Sequence, residues 1–318
     1  MKDGFVKTAA GTPDIKVADC GYNCARIKAL IDKAHEQGVR VLVLPELCIT
    51  GYTCQDLFFQ QTLLDGALNA LKDITEHSAG LDMLIAVGCP LRFRGELYNC
   101  AVVMKDGKIL GVVPKKFLPN YNEFYEKRHF TAAPEGEYDI ELFGESVPFG
   151  LGLLFECRGT PELVFAAEIC EDLWAAEPPS ISLALGGATL IANLSASNET
   201  IGKDSYRRDL VKGQSARLIC GYIYATAGEG ESSQDLVFGG QNMIAENGTI
   251  LAEGKLYSTG LTVTEIDVQK LASERRRNTS FVGGLRPGMR RIPFDMEIKP
   301  AELTRIVRRT PFVPNTSA

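Results

Sequence analysis

Residues 39–47 read VRVLVLPEL, apolar apart from Arg40 until the run closes on a proline and a glutamate. An apolar run without polar alternation predicts a strand covered on both faces, and so an α/β layer structure rather than a sheet open to water. Immediately upstream, residues 23–37 set Ile27, Leu30, Ile31 and Ala34 at helical spacing, and Gly38 predicts the stop. Downstream, residues 56–76 read as a second helix with Leu57, Leu64, Leu68 and Leu71 along one side. Strands are predicted at 83–88, 98–105 and 109–114, with Asp106-Gly107 as a hairpin signal between the last two. A second series follows. Strands at 163–169, 188–194 and 221–227 alternate with helices at 179–185 and 204–218. Strands at 241–246 and 249–253 flank the hairpin signal Asn247-Gly248, and 260–268 reads as a late strand.

The chain has 318 residues, room for one large domain or two small ones. With 34 basic and 40 acidic side chains its net charge is −6, which argues against a general nucleic-acid binder. Hydrophobic residues at 45% and charged residues at 23% fit a globular chain and exclude disorder over most of the length. No apolar run reaches transmembrane length, and the first residues lack the apolar core of a secretory signal, so the expected compartment is the cytoplasm. Nine cysteines and three histidines form no zinc spacing, so no metal is expected, and in a reducing compartment the cysteines read as buried small hydrophobes. From Glu274 the texture changes. Arg275-Arg276-Arg277 reads as a solvated helix end, followed by glycine and proline and by a loop-like tail with a short helix at 303–309.

Three strand ends concentrate chemistry. Glu46 follows the strongest strand, where a carboxylate is stripped of water and suited to general base work; a strand-end acid capping the next loop is the plainer alternative. Lys115 follows the strand 109–113 and could hold an oxyanion, against the alternative of a solvated Lys115-Lys116 pair. Cys170 ends the strand 163–169 and is followed by Glu171, Asp172 and Trp174. A turn straight after a strand exposes a nucleophile and aims the next backbone N–H at the same point. Two adjacent acids would by themselves hold the thiol protonated, so a base and a cation must come from elsewhere. No G-x-S-x-G elbow, H-E-x-x-H helix or phosphate-binding loop is present.

Taken in order, LPELCITGY (44–52), PKKFLPNY (114–121) and EICEDLW (168–174) resemble the three motifs of the nitrilase superfamily. Within it, the stretches 118–130, 192–208 and 224–248 resemble the glutaminase domains of glutamine-dependent NAD synthetases, over nearly all of residues 1–275. The resemblance implies a four-layer α-β-β-α sandwich. It divides the chain into a glutamine amidohydrolase domain, 1–275, and the start of a connector, 276–318, whose RRTPFVP leads toward a synthetase domain not in this sequence.

The resemblance also implies roles. Cys170 is the nucleophile, Glu46 the base, and Lys115 with the backbone N–H of Glu171 the oxyanion partners. Tyr121, Glu171, Ser197 and Lys203 match glutamine-binding positions, with Lys203 standing where relatives often carry arginine. Glu126 matches an acid that supports the lysine or the substrate; Glu229 and Glu231 fall near the site without an assigned role. The implied substrate is L-glutamine and the implied product ammonia, used to amidate nicotinic acid adenine dinucleotide. The glutaminase reaction needs no cofactor, since ATP and Mg belong to the missing synthetase domain. Implied partners are that domain and further copies of the chain, with neither nucleic acid nor membrane. Two other readings stay open: a free-standing amidase for another small amide, and a non-catalytic scaffold that retains the fold.

Overall fold

Successive residues of a strand face opposite ways, and in the opening stretch both ways lead into apolar cores. Val41 and Val43 join a core between two sheets, whereas Leu42 joins a core beneath two helices. The structure, a computed structural model, describes residues 2–232, 235–284 and 286–307. Its strands are β1 (Phe5–Thr12), β2 (Val41–Val43), β3 (Leu84–Phe93), β4 (Glu96–Lys105), β5 (Lys108–Pro114), β6 (Tyr138–Leu142), β7 (Glu145–Phe149), β8 (Leu153–Cys157), β9 (Val164–Ile169), β10 (Leu190–Ser195), β11 (Gly221–Thr226), β12 (Met243–Glu246), β13 (Thr249–Glu253), β14 (Gly260–Asp267) and β15 (Arg290–Phe294). The helices are α1 (Cys20–Glu36), α2 (Gln61–His77), α3 (Glu171–Trp174), α4 (Pro179–Leu185), α5 (Lys203–Leu218) and α6 (Val268–Arg277).

One sheet runs β14-β1-β2-β3-β4-β5-β7-β6 and the other β13-β12-β11-β10-β9-β8-β15. Ile27, Ile31, Leu71 and Ile74 of α1 and α2 pack on the outer face of the first sheet with Leu42, Ile85 and Val87. Val41, Val43, Leu84 and Ala86 meet Phe155, Phe165, Leu190 and Ala192 between the sheets. Leu183 of α4 and Val211 of α5 cover the outer face of the second sheet with Ile191 and Tyr222. The order helix, sheet, sheet, helix is the four-layer α-β-β-α sandwich. Both predicted hairpins form with two consecutive positive φ angles, 50° and 76° at Asp106-Gly107 and 43° and 80° at Asn247-Gly248.

Four expectations are corrected. The helix read at 56–76 is broken, with a 3-10 turn at Gln55–Phe59, an extended Gln60 and then α2. The turn lets Phe58 bury itself against Phe130, ring centroids 4.9 Å apart, a contact off the stripe that α2 buries. No helix forms over the described part of 303–309, which ends at Val307; Arg308, Arg309 and the rest of RRTPFVP lie outside the described residues. The segment read as a departing connector packs back instead, because β15 pairs in parallel with β8, extending the second sheet. Finally, Arg275 is no solvated helix end. Its guanidinium donates to the carbonyls of Ile219 at 3.0 Å, Leu218 at 2.9 Å and Ala188 at 2.7 Å, closing the end of α5.

Candidate active site

Each of three strands is followed, within three residues, by a side chain that can take part in acid–base or nucleophilic chemistry. After β2, Pro45 has no N–H to continue the sheet, Glu46 follows fully buried, and Leu47 turns the chain with φ 50°. The chain passes so close to β3 that a Cβ on Gly88 would lie 2.2 Å from Leu47 N and 2.4 Å from Pro45 O. After β5, Lys115 donates its backbone N–H to Asn99 O at 2.8 Å and is itself buried. After β9, Cys170 takes φ 43° and ψ −99°, a strained conformation for a residue with a Cβ, and starts α3 directly. Its N–H donates to Leu194 O at 3.0 Å, and its O accepts from Leu173 N at 3.0 Å.

These ends converge on one buried cluster. Lys115 Nζ lies 2.6 Å from Glu46 Oε1 and 2.6 Å from Glu126 Oε1. Asn99 Nδ2 donates to Glu46 Oε1 at 2.6 Å, and Ala196 N to Glu46 Oε2 at 2.9 Å. Tyr52 Oη donates to Glu126 Oε1 at 2.8 Å. Burial alone would lower Lys115, but the Glu126 and Glu46 carboxylates outweigh it and hold the ammonium well above the ordinary lysine value. Burial pushes the Glu126 carboxyl up, with Lys115 opposing. Burial also pushes the Cys170 thiol up; Glu46 raises it further and Lys115 pulls it back. A thiol pushed up in this way becomes a nucleophile only when a neighbour takes its proton.

The acids after Cys170 are not what holds its proton. Asp172 turns away and accepts from Phe117 N at 2.8 Å and Ile169 N at 3.0 Å, so it ties the loop behind Lys115 to the turn behind β9. Burial pushes the Asp172 carboxyl up to about 7. Glu171 is half-exposed and accepts from Tyr121 Oη at 2.8 Å. Lys203 begins α5, half-buried, with Nζ on Asn198 Oδ1 and over the rings of Trp174 at 5.1 Å and Phe124 at 5.7 Å. Burial lowers it, while the nearby Cys170, Glu123 and Glu171 act the other way. Ser197 is buried, its Oγ accepting from Arg207 Nη1 at 3.4 Å. Arg207, fully buried, pairs with Glu199. Of the two glutamates left without a role, Glu231 is buried and accepts Tyr52 N at 2.7 Å, and burial pushes it up to about 8. Glu46, Lys115, Glu126 and Cys170 thus come together, with Glu171, Tyr121 and Lys203 beside them. Sequence reasoning missed Asn99, Tyr52 and Arg207. A polar residue inside the apolar strand Tyr98-Asn99-Cys100-Ala101 was the available signal for the first. Among the described residues, no group of three or more His, Cys, Asp and Glu side chains is gathered as a metal site. No described helix is long and apolar enough to cross a membrane.

Residues 7–276 match the model of the carbon-nitrogen hydrolase family. The chain belongs to the carbon-nitrogen hydrolases. This hydrolase is 42% identical over 321 residues to the glutamine-dependent NAD(+) synthetase of Mycobacterium tuberculosis (strain H37Rv), a match covering 98% of this chain and 47% of the relative. It is 32% identical over 273 residues to the human glutamine-dependent NAD(+) synthetase, covering 81% and 38%. It spans about half the length, or less, of the curated relatives it matches. Among solved structures, it resembles a glutamine-dependent NAD(+) synthetase from Cytophaga hutchinsonii with TM-score 0.74 and 30% identity, covering 82% of this chain and 43% of that one. An amidase of the nitrilase superfamily from Nesterenkonia AN1, TM-score 0.65 and 18% identity over 86% of this chain and 96% of its own, shares the hydrolase fold.

Proposed function

We propose that this hydrolase cleaves the side-chain amide of L-glutamine through a Cys170 thioester. One observation carries the chemistry: a thiol on a strained strand-end turn, buried with a carboxylate that an ammonium and two N–H donors hold in place. Glu46 accepts the Cys170 proton as Sγ bonds to the amide carbon. Lys115 Nζ and the Glu171 N–H, one of the amides that a helix start leaves unpaired, receive the charge developing on oxygen. The C–N bond then breaks and Glu46 returns the proton to the leaving nitrogen, which departs as ammonia. Water attacks the thioester with Glu46 again as base, releasing glutamate and the thiol. Lys115 stays an ammonium throughout, held by its two carboxylates. Each step is an acyl or proton transfer among protein groups, so the reading needs no cofactor or metal.

Lys203 meets the α-carboxylate of glutamine, with Tyr121, Glu171 and Ser197 shaping the pocket and Glu126 supporting Lys115. The full-length relatives are named for making NAD from glutamine, and this supports the second part of the proposal. The ammonia serves a synthetase domain, which binds ATP, Mg and nicotinic acid adenine dinucleotide, in an assembly of several copies in the cytoplasm. The test is ammonia release by this chain from L-glutamine, L-asparagine and acetamide, with Cys170→Ala as blank. A preference for L-glutamine of about tenfold or more is expected, since one charge-assisted contact supplies about that factor. Equal use of acetamide would favour the free-standing amidase, and no release from any amide would favour the scaffold.

A further inference from the structure

We infer that Asn99 is a positioning residue of this site, whose side-chain amide aims the Glu46 carboxylate while its backbone carbonyl seats Lys115. The inference rests on the reading of Glu46 as base to Cys170. Asn99 lies in β4, opposite Pro90 of β3, and is 1% exposed. A carboxylate can only accept, so the amide must present Nδ2 to Glu46, and it does so at 2.6 Å. Lys115 Nζ reaches the same oxygen, also at 2.6 Å, and Ala196 N holds the other oxygen at 2.9 Å. Without Asn99, Oε1 would answer to Lys115 alone. The base would then follow the lysine, whose second carboxylate, Glu126, pulls the other way.

Two further observations set Asn99 apart from a packing residue. Its carbonyl accepts Lys115 N at 2.8 Å, so a single residue connects the base and the cation. Its own Oδ1 is buried with no hydrogen-bond partner, an arrangement that works against folding. A side chain selected for packing would not carry that unsatisfied oxygen; leucine fills a similar volume without it. The amide is retained where its other end touches the base.

The test reads the base without presuming the amide substrate. Iodoacetamide alkylates Cys170 when an Sγ–C bond forms, iodide leaves and the thiol proton passes to Glu46. The rate of labelling at Cys170 is followed by peptide mass spectrometry across pH, with Cys170→Ala as the background for the other eight cysteines. Asn99→Leu, which removes the donor, is expected to slow labelling by about 10- to 100-fold near neutral pH, the factor for a hydrogen bond to a charged group.

Asn99→Asp supplies the pH signature. Around Glu46 stand Lys115 from the end of β5, Cys170 from the end of β9, Glu171 from the start of α3, Glu126 from the 3-10 turn Glu126–Arg128, Glu231 from the 3-10 turn Glu229–Glu231, and Tyr52. Near neutral pH the introduced carboxylate repels Glu46 and labelling is slow. On acidification the introduced carboxyl gains a proton, donates to Glu46 as the amide does, and labelling recovers relative to the parent, whose rate falls. Parent-like rates in Asn99→Leu, or an Asn99→Asp profile parallel to the parent's, would overturn the inference. If Asn99→Leu fails to fold, the Asn99→Asp profile decides. A parent chain in which Cys170 is not labelled above background would remove the base reading itself, and this inference with it. A parent labelled at Cys170 with unaffected variants would remove the inference alone.

Discussion

Lys115 lies 2.6 Å from Glu46 on one side and 2.6 Å from Glu126 on the other, one ammonium shared by two buried carboxylates. The ammonium is locked by two carboxylates, and Glu126 spends one oxygen on both Lys115 and Tyr52. On the reading proposed above, Glu46 is the acceptor for the thiol. Glu46→Gln keeps the shape and loses the acceptor, so kcat for amide hydrolysis should fall by about 100- to 10,000-fold with KM little changed. Steady-state kinetics check this, and a variant with near-parental kcat would remove Glu46 as base. Glu231 gives a separate prediction on stability. Its carboxyl is pushed up from the ordinary 4.5 to about 8 by burial. Between those values the folded state holds more protons than the unfolded, so this group's contribution to stability falls as pH rises through that window and is flat above it. Glu231→Gln retains an acceptor for Tyr52 N and should lose that part of the alkaline decline. Melting temperatures at acid and alkaline pH measure it; equal slopes in parent and variant would contradict it. At this scale the sequence was readable where a polar residue followed an apolar strand, as at Glu46, Lys115 and Cys170. Asn99 and Arg207 act from inside an element, where one polar residue among apolar neighbours leaves no periodic trace. Tyr52 sits inside a recognised motif yet acts only through a partner that is 74 residues away.

At the scale of elements, the site depends on how closely two strands approach. Gly88 of β3 faces the backbone at Pro45–46–47, with 2.6 Å between a would-be Cβ and Glu46 C. Gly88→Ala must push that backbone away, taking Glu46 from Ala196 and Asn99. A stability loss of about 1–3 kcal/mol is expected from overpacking, together with a loss of kcat well beyond that of a remote alanine. A melt and a rate with parental values would show that the 45–47 turn has more room than the contact distances give it. Across the gap between sheets, Asp172 joins the Lys115 loop to the Cys170 turn through backbone N–H groups of both. The strands bearing these turns were legible because both faces are buried and the apolar runs are continuous. The hairpins at Arg94-Gly95 and Phe143-Gly144 were not, although both take two positive φ angles. Neither pair is a favoured turn dipeptide, and the short strands β6 and β7 alternate buried with exposed residues over only five positions each.

Over the whole molecule, the turns carrying Glu46, Lys115 and Cys170 follow the C-terminal ends of β2, β5 and β9, and the tail crosses the opposite end. After β15, the Glu297 N–H donates to Asp82 just ahead of β3, and Thr304 and Arg305 bind Glu265. Arg305 Nη1 also meets the buried Glu246 at 2.8 Å, and Glu246 pairs with Gly221 at the start of β11. Burial would raise Glu246, but Arg305 and the Asp267 N–H outweigh it and hold it below the usual value. Arg305→Ala should therefore cost about 1–2 kcal/mol of stability and leave KM and kcat for the amide unchanged, because the strap and the site lie at opposite strand ends. A thermal melt and a rate measured on one preparation check both halves; an altered KM would couple the tail to the site. The glycine, proline and arginine texture hid this docking, although Ile292, Phe294 and Met296 alternate with exposed residues and bury themselves in the core between the sheets. The central claim is that Cys170, alone among nine cysteines, forms the bond to a glutamine-shaped substrate. It is tested most directly by treating the chain with a glutamine analogue bearing an electrophilic side chain and mapping the adduct by peptide mass spectrometry. One adduct per chain at Cys170, suppressed by L-glutamine, is the predicted result; an adduct at another cysteine, or labelling of Cys170 that L-glutamine does not suppress, would contradict it.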